Sequence, residues 1–167
     1  VYGEFSNRSD IIDSRDVIAK IDELKEYILN AVFNDHPDEE EIPCGEWDNL
    51  VHVDLIDGVA EDITAFGQTC DDADVGEELD ELLPLLRLDA EGRDACSEWD
   101  HGEALIRDDY MPQYAEQLAD DLGFIGQGVD TNRWPFDCLD WDKAADELKY
   151  DYTRVDFDGQ DYWIRSY

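Results

Sequence analysis

Val17, Ile21, Leu24, Ile28 and Ala31 recur at alternating intervals of four and three residues. That spacing puts one apolar stripe on an amphipathic helix. The helix is expected to start near Arg15, with Asp13 or Ser14 as its cap, and to end near Asn34. His36–Gly45, with two prolines and a glycine, predicts a loop. Val51, Val53 and Leu55 alternate with His52 and Asp54, which predicts a half-buried strand over Leu50–Ile56. Val59–Phe66 suits a short helix, and Cys70–Gly76 a polar connection. Leu79, Leu82, Leu83 and Leu86 return to helical spacing over Glu77–Leu88, where Pro84 is expected to kink or end the helix. Ala90–Trp99 suits another helix.

Further along, Asp108 is placed to cap a helix carrying Met111, Tyr114, Ala115, Leu118 and Leu122 on one face, closed by Gly123. Its other face carries Asp109, Glu116, Asp120 and Asp121. Asp140 caps a last helix with Ala144, Ala145 and Leu148 turned inward. Val155 and Phe157, then Asp158-Gly159, then Tyr162 and Ile164 form the strongest short-range hairpin signal. The pattern predicts an α+β protein, rich in helix, with small antiparallel strand elements including a C-terminal β-hairpin. It divides into a strongly acidic region over 1–100 and a helix–helix–hairpin region over 101–167.

Composition adds the charge. The chain of 167 residues holds 46 acidic and 12 basic side chains, a formal net charge of −34. Such charge usually marks disorder. Here 43% of residues are apolar, and Trp47, Trp99, Trp134, Trp141 and Trp163 are spread along the chain, so a folded protein with an acidic skin is expected. No apolar run reaches the length of a membrane span, and no secretory leader is recognisable; a cytoplasmic site of action in a host cell is expected. Cys44, Cys70, Cys96 and Cys138 lie far apart and read as buried thiols, with two disulfides as the alternative.

Chemistry-bearing motifs are sparse. With 30 Asp and 16 Glu, carboxylate pairs arise by chance, so a pair is weak evidence for acid–base catalysis or a metal site. Setting Gly76 or Gly159 at the sixth position of a calcium loop leaves Leu82 or Arg165 where the bidentate Glu belongs. His36, His52 and His101 have no zinc-ligand spacing to another His or Cys. Gly123–Gly128 follows a helix rather than a strand, which suits a helix end better than a phosphate loop. Trp134-Pro135-Phe136 and Trp141 are expected in the core around the last helix, with an exposed binding patch as the alternative. The sequence therefore predicts neither an enzyme nor a cofactor.

What remains is the placement of charge. From Glu26 to Leu86 there are 19 carboxylates and no Lys or Arg. The net charge is −2 over 1–25, −19 over 26–86 and −13 over 87–167. A halophile's solvated skin would spread acids evenly. Duplex DNA carries one negative charge per about 1.7 Å, so 34 charges match about 58 Å of duplex. A compact chain of this length is only about 40 Å across, so its charge density equals or exceeds that of DNA. Acids one helical turn apart, such as Glu116/Asp120 and Asp142/Asp146, are separated by about 6 Å along the axis, close to the roughly 6.8 Å of two base steps. Such a surface repels nucleic acid and anionic membranes and attracts basic proteins. An acidic chaperone for basic proteins, a halophilic domain and, further off, a carboxylate- or metal-dependent enzyme are the alternatives.

Tyr114–Gly123 (YAEQLADDLG), Cys138–Leu148 (CLDWDKAADEL), Tyr152 and the terminal hairpin together resemble the closing region of ArdA-type antirestriction proteins. His101-Gly102 and Leu105–Tyr110 are similar to a wider group of small acidic phage proteins. The resemblance covers about 60 residues of the C-terminal part. It implies an elongated DNA mimic, often a homodimer, that inhibits type I restriction–modification enzymes. ArdA-type proteins open with a strand, whereas this chain is expected to open with a helix. A CRISPR effector or another basic DNA-binding complex of the host is equally compatible with the charge. The expected phosphate-mimic surface combines Asp38, Glu39, Glu40, Glu41, Glu46, Asp48, Asp71, Asp72, Asp74, Glu77, Glu78, Asp80 and Glu81 with Asp108, Asp109, Glu116, Asp120 and Asp121.

Overall fold

The computed structural model describes residues 5–35, 76–126 and 128–166. A short strand, β1 (Ile11–Asp13), runs directly into helix α1 (Ser14–Asp35). Helix α2 (Gly76–Ala95) leads to strand β2 (Ala104–Arg107), helix α3 (Met111–Asp121) and helix α4 (Trp141–Leu148). Strands β3 (Tyr152–Phe157) and β4 (Gln160–Arg165) close the chain. The fold is α+β. Its sheet is antiparallel throughout, in the order β1-β2-β4-β3, and takes strands from both the 1–100 and the 101–167 regions.

Strand alternation divides the apolar residues between two faces. Ile12, Leu105, Ile164 and Tyr162, with Val155 and Phe157, turn toward α1 and α2, and there form the main core with Val17, Ile21, Leu24, Ile28, Leu82, Leu86, Leu88 and Trp99. Ile106 and Trp163, which are paired in register, turn to the opposite face. They pack there with Met111, Tyr114, Ala145 and Leu148 of α3 and α4. The sheet is thus sandwiched between two helical layers.

At the start of α1, Asp13 Oδ1 accepts the Arg15 backbone N–H at 2.9 Å, as a cap should. The fully buried Ser14 donates its hydroxyl to the Trp99 carbonyl at 2.6 Å and accepts the Glu103 N–H at 2.8 Å. The chain therefore enters the described fold through a strand, not directly through the helix. Neither β1 nor β2 is long enough to display an alternation in sequence.

Pro84 does not end its helix. Leu85, Leu86 and Leu88 beyond it are buried, and α2 continues to Ala95, absorbing most of the segment expected to form a separate helix. Burying each Leu is worth about 1.5–3 kcal/mol, so three of them outweigh the roughly 3 kcal/mol of an interior proline. Asp108 does not cap α3 either. It begins a 3-10 turn, Asp108–Tyr110, and the residue preceding α3 is Tyr110, which makes no side-chain cap bond. The C-terminal end of α3 behaves as expected. Gly123, at φ 78°, donates to the Asp120 carbonyl, and Phe124 N–H donates to that of Ala119, the paired bonds of a glycine-terminated helix.

Asp140 Oδ1 accepts the Lys143 N–H at 3.1 Å and caps α4. The hairpin turn places Asp158 and Gly159 at φ 50° and 79°, the mirror-image turn that matches strand twist. Two expectations of burial fail. Trp134 is 80% exposed, and Phe136 and Trp141 are only half-buried. Cys96 is a buried thiol, but Cys138 is exposed. The elements expected between His36 and Val75, with Cys44 and Cys70, lie outside the described residues. Among the described residues, no helix is long and apolar enough to cross a membrane.

Candidate protein interface on the acidic surface

Most of the scarce cations are held by the protein's own carboxylates. Arg15 pairs with Asp13 at 2.6 Å, and Lys20 lies 3.9 Å from Glu23 and 3.7 Å from Glu81. Arg93 bridges Asp89 and Asp100, Arg107 holds Asp10 and Asp109, and Arg133 meets Asp130. Lys149 meets Asp108, and Arg154 meets Asp161. At least seven of the twelve basic residues are consumed in this way among the described residues, and an acid surplus is left facing solvent. Asp22, Glu26, Glu77, Asp80, Asp94, Glu116, Asp120, Asp121, Asp142, Asp146 and Glu147 are at least partly exposed, and their side chains make no hydrogen bond or ion pair among the described residues.

The residues expected to replace phosphates fall into three groups. Asp38, Glu39, Glu40, Glu41, Glu46, Asp48, Asp71, Asp72 and Asp74 lie outside the described residues. Glu77, Glu78, Asp80 and Glu81 occupy the first turns of α2, with Glu78 half-buried and the others exposed. Because α1 packs against α2, Lys20 can reach Glu81 from the neighbouring helix.

Asp108 and Asp109 are tied into the scaffold. Asp108 Oδ1 accepts both the Lys149 ammonium and the Trp163 indole N–H at 2.7 Å. The Lys149 hydrogen bond, reinforced by that of Trp163, holds its carboxyl below the usual aspartate range. Arg107 clamps Asp109 and also donates to the Arg8 carbonyl, tying the 3-10 turn to the segment before β1. By contrast, Glu116, Asp120 and Asp121 are uncommitted on α3.

Glu116 and Asp120 face a groove of about 590 Å³, bounded on one side by Tyr110, Gln113 and Gln117 and on the other by Ile125, Gly126, Gly128, Val129 and Thr131. Gln117 Nε2 donates to the Tyr110 hydroxyl at 2.6 Å, which fixes one wall. Asp121 does not line this groove. Ile125 is buried, whereas the residues on either side of its segment are not: Phe124 is 76% exposed, and Leu122, Trp134 and Leu139 are also exposed. For Trp134 this is the alternative to the core position that the sequence suggested.

Carboxylates one turn apart over an apolar floor can accept a donor whose stem is apolar. The other exposed acids attract cations from a distance. Among the described residues, no three His, Cys, Asp or Glu side chains come together in a way that could hold a metal ion. No protein-family model, curated protein or solved structure matches the chain.

Proposed function

We propose that the protein is a non-enzymatic DNA mimic of phage or mobile-element origin that occupies the basic DNA-binding groove of a host defence nuclease complex, of restriction–modification or CRISPR type. The observation that carries this reading is how the charge is distributed over the fold. Among the described residues, most of the cations are clamped by nearby carboxylates, while a larger set of acids on α1, α2, α3 and α4 faces outward unpaired. A basic groove that meets such a surface releases the same counterions that it would release on meeting phosphates. The likeness of the C-terminal sequence to ArdA-type proteins supports the same partner class. Each carboxylate replaces one phosphate, so no single residue dominates.

The test is capture of host complexes on the immobilised protein at low salt, followed by elution with duplex DNA. The expected outcome is a basic DNA-binding complex released both by raised salt and by DNA. Retention that DNA cannot displace would remove the proposal.

A further inference from the structure

We infer that Glu91 guards the outer edge of β3 against pairing with a second copy of this chain. This goes beyond the proposed function and does not depend on it. The order β1-β2-β4-β3 leaves β3 as an edge strand. Ser166 N–H donates to the Asp151 carbonyl across the end of the β3–β4 pair at 3.1 Å, and antiparallel bonding alternates from there. In the register Thr153–Ile164, Val155–Tyr162 and Phe157–Gln160, these residues exchange bonds with β4. Arg154 and Asp156 therefore point their backbone groups away from the sheet. Such an edge is a template for another strand. Glu91, on α2, fills one of its sites: its Oε2 accepts the Asp156 N–H at 2.9 Å. The Arg154 N–H meets no acceptor among the described residues, and Thr153, Arg154 and Asp156 are exposed.

The residues of the strand make it complementary to itself. Two β3 edges meet antiparallel about a two-fold axis, so the outward residues pair among themselves. A register that sets Arg154 opposite its own counterpart places like charges face to face, which destabilises a strand pair. A register centred on Val155 sets Arg154 opposite Asp156 of the second copy, and the reverse by symmetry. Two opposite-charge pairs then form on one face of the joined sheet, and opposite charges favour this register over the other. It requires the Asp156 N–H to reach the Arg154 carbonyl of the second copy, and that N–H is the donor Glu91 occupies. The net charge of −34 also holds copies apart, but that repulsion fades with salt. The Glu91 bond acts at contact and persists.

The experiment measures the mass of the full chain by size-exclusion chromatography with light scattering. It is run at physiological ionic strength and at about 1 M, where the Debye length falls to about 3 Å. The native protein and Glu91→Gln, whose amide oxygen still accepts the Asp156 N–H, are expected to keep one mass at both salts. Glu91→Ala is expected to double that mass at the higher salt, and adding Arg154→Glu should restore the native value. Hydrogen exchange reads the native contact without any variant. The Asp156 amide should be protected about fivefold more than that of Arg154, the equivalent of one hydrogen bond of about 1 kcal/mol. If Glu91→Ala does not fold, this comparison decides alone. A folded Glu91→Ala protein that stays at the native mass at the higher salt, a doubled mass that survives Arg154→Glu, or equal protection of the two amides would each overturn the inference.

Discussion

Lys149 donates its ammonium to Asp108 at 2.7 Å while lying over the Trp163 ring at 5.0 Å from its centroid. The Trp163 indole N–H donates to the same Asp108 oxygen. One carboxylate thus joins the turn before α3, the turn after α4 and strand β4. Asp108→Ala is expected to cost about 1–2 kcal/mol, read as a lower denaturant midpoint, because two donors lose their acceptor. Neutralising the uncommitted Asp120 or Asp121 should leave the midpoint unchanged or raise it slightly. Equal effects at Asp108 and Asp120 would contradict the division between scaffold and surface acids.

Gly92 carries a different constraint. A Cβ on this residue would lie 2.1 Å from the Trp99 ring, and Trp99 is itself held by its indole N–H donating to Asp89 at 2.7 Å. Alanine at an ordinary helical position gains about 1 kcal/mol over glycine. Here Gly92→Ala is expected to destabilise instead, by a net of about 1–3 kcal/mol, because the buried ring has to move. Thermal melts compare the two directly, and a stabilised variant would contradict the packing.

Tyr162 contributes a pH dependence on the alkaline side. Burial pushes its phenol up to about 12, and its hydroxyl donates to the Ser9 carbonyl at 2.7 Å. The folded state therefore favours the neutral phenol. That contribution is complete below the ordinary tyrosine value of about 10 and is lost as pH rises from there through about 12. Tyr162→Phe should lower stability at neutral pH and flatten the decline between these limits. The acid side has the opposite sign. The carboxyls of Asp13 and Asp108 are depressed by their partners Arg15 and Lys149. Their contributions are present above the ordinary carboxylate range and vanish as pH falls through their folded values.

Salt separates a decoy surface from a solvent adaptation. Screening relieves self-repulsion, so the melting temperature should rise modestly from low to physiological ionic strength. The unfolding transition should stay cooperative at the low end, because the main core is made of well-buried Leu, Ile and aromatic side chains. Unfolding in low salt would favour the halophilic alternative.

The sequence displayed those elements whose periodicity is long enough to read. The stripe of α1, the Asp140 cap and the Asp158-Gly159 hairpin are visible in the order of residues. Strands β1 and β2 are not, because three or four residues show no period and their identity depends on pairing: Ile12 with Leu105, then Leu105 with Ile164. Pro84 was misleading because its local cost is outweighed by leucines that only tertiary packing buries. The site divides in the same way. Composition points to acids, but only geometry separates Asp108, held by Lys149, from Asp120, which is not. An exposed Trp134 could not be told from a buried one when both sit beside an apolar helix.

The central claim, that many carboxylates together replace phosphates, is tested most directly by the salt dependence of binding to the DNA-displaceable host complex. The measurement compares the native protein with a graded neutralisation series: Glu39, Glu40 and Glu41 to Gln, then Asp71, Asp72 and Asp74 to Asn as well, then Glu77, Asp80 and Glu81. The expected result is a stepwise loss of affinity and a slope of log K against log salt that shallows with each charge removed. Inhibition left intact after the first six neutralisations, or abolished by one of them alone, would contradict the account.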